Sequence, residues 1–330
     1  MEIVLASAAF AVAVLCAATM GFAIQRGATC TVAAVDEVVS EGGFSRLAAL
    51  LEAALWVAGG LLVAQALHVL PKMPAGYAVG GWTVLGGALL GFGAFVNRAC
   101  VFGAIARFGS GEWAYIVTPL GFYVGCVSVG AVFGAPAPRA LPYGSPVLQA
   151  SAGVAVLFAA LALWRVGRPL VAGARDGRLK ATLAARAWSP HAATTVIGVT
   201  FVVLLLLVGS WAYTDVLVEL ARGMAGSLLA RSVLLLALLG GAAFGGWTAG
   251  HFHATPIAAT QVARCFAGGV LMGWGSLLIP GGNDGLILVG MPLLWPYAWL
   301  AFATMCVTIA VAMRVARRLR GSPARRQGAS

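Results

Sequence analysis

The sequence predicts an all-α, polytopic membrane protein. About nine transmembrane helices and several short re-entrant helices are expected, arranged as two inverted repeats in an hourglass-like whole. Three observations predict it: a composition too apolar for water, a series of spans long enough to cross a bilayer, and a repeated glycine pattern. Of the 330 residues, 61% are hydrophobic and 9% charged, and the mean hydropathy is +0.95. Soluble domains carry about 25% charged residues. This chain cannot cover a water-facing surface, so it lies in lipid.

Apolar runs of about 20 residues fall at 3–23, 46–68, 79–96, 112–134, 147–166, 193–213, 228–250, 261–278 and 293–315. The first is too long for a signal-peptide core, and Glu2 replaces the usual basic start, so a membrane helix is expected there. The formal charge of +11 is concentrated: six basic residues lie in 165–186 and six in 314–326. Clusters beside apolar runs read as cytoplasmic anchors rather than a nucleic-acid surface. They orient the chain with its N-terminus in the periplasm and its C-terminus in the cytoplasm. Of the 21 lysines and arginines, four (Lys72, Arg139, Arg222 and Arg231) then lie outside and the other 17 inside. The expected location is a bacterial inner membrane.

Three stretches between the spans are too short to cross and too apolar for ordinary loops: 25–39, 97–111 and 279–292. Half-helices or re-entrant segments are expected, which survive at membrane depth where protein or a cavity surrounds them. A shift of 182 residues superposes Gly86, Gly87, Gly91, Gly93, Gly103, Trp113 and Tyr115 on Gly268, Gly269, Gly273, Gly275, Gly285, Trp295 and Tyr297. With Leu89 and Ile105 this makes nine identities in 30 positions, where composition alone gives roughly three. An odd number of helices between the copies inverts the second. One transmembrane domain, 1–330, is expected to hold a first repeat at 1–134, a connecting helix at 147–166 and a second repeat at 193–316. That architecture belongs to transporters with a site near the bilayer midplane.

The residues at the breaks carry the chemistry. Asn97 and Arg98 interrupt an apolar run, and Cys100 follows; Arg26 precedes Cys30 in a like setting, "QRGATC". Half-helix starts expose N–H groups that attract anions. Arg98 is expected either to face such an anion or Glu112, or to snorkel to the interface while Asn97 caps. Asp284, near the midplane, is expected either to hold a proton, a cation or Arg98, or to cap the next short helix with Asn283. Asp36, Glu37 and Glu41 fall near the inner surface. Cys16, Cys126 and Cys306 lie within apolar spans and read as packing; Cys265 follows Arg264 without a clear role. His251 and His253 diverge on a helix and lack a third ligand, so no metal is expected. No cofactor is implied, and the absence of CxxC pairs and of hydrolase or phosphate-loop motifs points away from an enzyme.

The stretches "GFAIQRGATC" (21–30), "GFGAFVNRACVFG" (91–103) and "GGVLMGWGSLLIPGGNDG" (268–285) resemble the YeeE/YedE family of bacterial inner-membrane proteins. The resemblance covers most of the chain. It implies two inverted halves meeting at a constriction lined by cysteines that pass thiosulfate by S–H···S contacts. Cys30 and Cys100 match two of those cysteines. The third belongs to a G-C-N-x-G motif that here reads "GGNDG", so Gly282 takes its place. A glycine leaves more room than a thiol, and Gly282→Cys is therefore expected to improve thiosulfate uptake. The implied function is a membrane permease for a small sulfur-containing solute, most simply an inorganic anion such as thiosulfate. Its substrate contacts are Cys30, Cys100, Arg98, Asn97, Arg26, Gly282, Asn283 and Asp284. Its partners are that anion, the lipid bilayer and a cytoplasmic sulfur-carrier protein. The alternative is a thiol oxidoreductase using a Cys30/Cys100 pair.

Overall fold

The computed structural model describes residues 7–134, 138–167, 185–223, 228–250 and 252–321. The central parts of the basic 165–186 stretch, the end of the basic tail and His251 lie outside them. All regular elements among the described residues are helical. In chain order they are α1 (Ala8–Arg26), α2 (Thr31–Glu41), α3 (Ser45–Ala66), α4 (Gly81–Asn97), α5 (Val101–Gly109), α6 (Val117–Phe133), α7 (Ala152–Ala162), α8 (Pro190–Val208), α9 (Tyr213–Ala221), α10 (Leu228–Ala249), α11 (Ala259–Leu278), α12 (Asn283–Gly290) and α13 (Pro296–Gly321).

Local chemistry sets several of these ends. Ser7 caps α1 by accepting the Phe10 amide, and Ser189 caps α8 by accepting the Ala192 amide, with Pro190 at the first helical position. The helix α4 stops where Arg98 turns left-handed at φ 61°. Between α11 and α12 the axis bends by 48° through "IPGG".

Seven helices or helix pairs are long and apolar enough to cross a membrane, and the bent α11–α12 pair makes an eighth. This makes the chain a multi-pass membrane protein. The ninth expected span, 147–166, differs. It consists of a short 3-10 turn at Val147–Gln149, the 11-residue α7, and a π-turn at Leu163–Gly167. The helical run continues from Ala152 to Gly167, and at about 1.5 Å per residue it is the shortest of the expected spans, roughly 24 Å against a hydrocarbon core of ~30 Å. The three stretches expected to be re-entrant do become short helices: α2, α5 and α12.

Helix order recurs at the sequence offset. The helices α1 and α8 occupy 8–26 and 190–208, 182 residues apart at both ends. The principal pairings interleave the halves: α1 packs on α8 and α10, α3 on α8, α4 on α11 and α13, and α6 on α11.

The repeated glycines explain several of these contacts. A Cβ on Gly93 would fall 2.8 Å from the Gly268 carbonyl, and one on Gly275 would fall 2.5 Å from the Gly86 carbonyl. The remaining two of each set face outward neighbours. Gly87 and Gly91 lie against the Ala301 and Met305 carbonyls of α13, while Gly269 and Gly273 lie against the Thr118 and Phe122 carbonyls of α6. Lipid offers no hydrophobic drive for helix association, so close backbone contact over small residues takes that role.

Candidate functional site

Four short helices start at the centre of the molecule. Cys30 precedes α2, Cys100 precedes α5, Ala212 precedes α9 and Gly282 precedes α12, all four in extended backbone. The helices touch in the order α2–α5–α12–α9. Unpaired amides at helix starts need acceptors, and here side chains from neighbouring short helices supply them. The Thr31 amide donates to Cys100 Sγ at 3.1 Å. The Thr214 amide donates to Asp284 Oδ2 at 3.1 Å, and the Thr214 hydroxyl donates to Asp284 Oδ1. Among these helix starts, one side-chain bond joins the two halves, from Thr31 Oγ1 to Asn283 Oδ1 at 3.4 Å.

Cys30 and Cys100 are brought together. Both thiols are free, Cys30 half-buried and Cys100 buried, and each lies within hydrogen-bonding reach of the other. Gly103 makes this possible: a Cβ there would fall 2.4 Å from Cys30 Sγ. The spacing Cys-x-x-Gly thus has a physical basis, with Cys100 at the helix start and Gly103 giving the second thiol its seat.

Cys30 lines a cavity of about 820 Å³. Arg46, Arg98, Arg107, Arg264 and Arg317 line it too, against the single carboxylate of Asp36. Arg317 pairs with Asp36 at 2.7 Å and Arg107 with Glu112 at 3.0 Å. No ion pair among the described residues engages Arg46, Arg98 or Arg264. A concave wall with one sign of excess charge concentrates counter-ions, so the cavity suits anions.

Several expectations are revised. Arg98 is exposed to the cavity, but Glu112 pairs with Arg107, so the Arg98–Glu112 pair does not form. Nor does Arg98 hold Asp284, whose oxygens both bind Thr214. Arg26 is outside the cavity lining. It is 4% exposed, stacks over Phe22 at 4.8 Å, and donates to Thr248 Oγ1 at 2.7 Å and to the Ala185 carbonyl. It ties the end of α1 to α10. Asn97 is also behind the lining. Its amide donates to the Ala99 carbonyl at 2.8 Å, and its Oδ1 accepts from Thr118 at 3.1 Å. These bonds fix the break between α4 and α5.

Gly282 does not leave room. A Cβ there would lie 2.3 Å from Thr214 Oγ1 and 2.8 Å from Asp284 Oδ1. The Thr214–Asp284 pair fills the space expected to be open. Asp284 is 2% exposed and Asn283 wholly buried.

Four cavity arginines, Arg46, Arg107, Arg264 and Arg317, and two threonines, Thr31 and Thr214, were not singled out by sequence. The signal at Thr31 is its place directly after Cys30; the arginines resemble ordinary interface anchors. Around His253 there is no metal centre among the described residues, where no three His, Cys, Asp or Glu side chains cluster.

The family model described as sulphur transport matches residues 26–311. No curated protein matches the chain. The matched region contains both thiols, four of the five cavity arginines and all four short-helix starts, and on that match the chain belongs to the YeeE/YedE sulphur-transport family.

Proposed function

We propose that this sulfur transporter is a permease for a small sulfur oxyanion such as thiosulfate, which travels through the arginine-lined cavity and over the thiols of Cys30 and Cys100. One observation carries the reading: Cys30 borders both the anion-suited cavity and the buried Cys100 thiol. Arginine suits the charged oxygens of such a solute, and a soft thiol suits its terminal sulfur. The solute passes unchanged, so no covalent step is required.

The membrane setting belongs to the same proposal. The chain lies in a bacterial inner membrane, N-terminus outside and C-terminus inside; the shorter helix at 147–166 crosses between the halves at 1–134 and 193–316, which inverts them about the centre. The basic asymmetry of the sequence and the helix pairings that recur at the 182-residue offset support this. A cytoplasmic sulfur-carrier protein is the partner on the inner side, where the solute arrives intact.

The test is accumulation of sulfur-labelled thiosulfate by cells that lack other uptake routes and express this chain. Uptake above the empty-vector level, competed by unlabelled thiosulfate and not by sulfate, is expected. Equal accumulation with and without the chain would refute the reading. The oxidoreductase alternative has the closeness of the thiols in its favour, but both are free. Mass mapping under non-reducing conditions would reveal a Cys30–Cys100 bond if that chemistry operates.

A further inference from the structure

We propose that Thr31 and Asn283 form an oxyanion subsite beside the thiols, so that the protein recognises a solute with sulfur at one end and oxygens at the other. This rests on the permease reading and narrows its substrate class. Thr31 and Asn283 are both wholly buried. The Thr31 amide is taken by Cys100 Sγ at 3.1 Å, and the Thr31 hydroxyl reaches Asn283 Oδ1 at 3.4 Å. The amide of Asn283 therefore sits at the same junction as the thiol. Its Nδ2 has no hydrogen-bond partner.

A buried donor without an acceptor is unfavourable and rare in folded proteins. The neighbouring carboxylate does not relieve it: Asp284 turns its oxygens to the Thr214 amide and hydroxyl, and Asn283 Nδ2 bonds neither of them. The long Thr31–Asn283 contact is the single side-chain hydrogen bond among the described residues that joins α2 to α12, so little holds it closed. A solute oxygen arriving here would accept from Asn283 Nδ2 and from the Thr31 hydroxyl, which gives up Asn283 Oδ1. The sulfur end of the same solute stays with Cys30 and Cys100. Sulfate lacks the soft end and sulfide lacks the oxygens, whereas thiosulfate offers both.

The experiment uses the purified full chain and follows the rise in melting temperature with added ligand, a linkage effect confined to ligands that bind the folded state. Thiosulfate is expected to stabilise the wild type and sulfate is not. Thr31→Val and Asn283→Ala should need roughly tenfold more thiosulfate for the same rise, the scale of one hydrogen bond to a charged group. Thr31→Ser should keep the wild-type midpoint. Asn283→Asp preserves shape while replacing the donor with a negative charge, and it should lose the response; it also serves if Asn283→Ala does not fold. Midpoints equal to wild type in Thr31→Val and either Asn283 variant would overturn the subsite and leave the permease reading standing. Stabilisation by sulfate equal to that by thiosulfate would also overturn it. No stabilisation of the wild type by millimolar thiosulfate would overturn both.

Discussion

Replacing Gly282 by cysteine restores the thiol of the family pattern, and the structure expects it to harm the protein. The added Cβ would meet Thr214 Oγ1 at 2.3 Å, Asp284 Oδ1 at 2.8 Å and Thr214 Cβ at 2.9 Å. Overpacking of this kind costs about 1–3 kcal/mol. Pushing Thr214 aside also breaks the bonds that hold the buried Asp284 carboxylate, at a further ~1–3 kcal/mol. The combined destabilisation of roughly 2–6 kcal/mol corresponds to a fall in melting temperature of about 3–9 °C for a chain of this length. The assay is thermal unfolding of the purified protein in detergent, read by size-exclusion chromatography after heating. Thr214→Ala removes the nearest atom, so the double variant should recover part of the loss, a coupling expected of groups in contact. A Gly282→Cys protein that melts with the wild type would refute the crowding argument. Improved thiosulfate uptake by that stable variant would restore the simpler view of Gly282 as an open space.

Other consequences follow from the same geometry. Cys100→Ala should abolish most uptake, whereas Cys126→Ala should not, because the Cys126 thiol faces only the Gly273 carbonyl at 3.9 Å inside α6; uptake at matched expression decides. Arg98→Gln and Arg264→Gln should each slow uptake several-fold at low salt, with the gap to wild type closing as the Debye length falls from ~10 Å at 0.1 M to ~3 Å at 1 M. Rates that differ equally at all salt concentrations would remove the electrostatic role. A reporter fused after Ser330 should be active in the cytoplasm; periplasmic activity would overturn the orientation and the inversion together.

The parts of the fold that depend on composition and local pattern were legible in the sequence. Long apolar runs became α1, α3, α4, α6, α8, α10, α11 and α13, and polar breaks became the starts of α2, α5 and α12. The glycines of the repeat were visible as a pattern, although which carbonyl each faces was not. The run at 147–166 became a shorter helix than expected, because hydropathy ignores where a helix can start and Ser151 starts α7 late. The site was legible where adjacent residues act together, as in Cys100 and Gly103. It was illegible where the partner is remote. Nothing local distinguishes Arg26, held by Thr248 across 222 residues, from Arg98, which opens on the cavity. Likewise "GGNDG" does not reveal that Thr214 occupies the space beside Gly282. Arg46 and Arg317 read as interface anchors until the fold brings them around one cavity.

The central claim is that thiosulfate passes over two adjacent thiols, and transport by the purified protein in liposomes tests it most directly. Vesicles holding wild type should take up sulfur-labelled thiosulfate and release it on exchange with unlabelled thiosulfate. Vesicles holding Cys30→Ala or Cys100→Ala, with the protein folded and inserted to the same extent, should show little more than protein-free vesicles. Uptake by both variants at the wild-type rate would contradict the account.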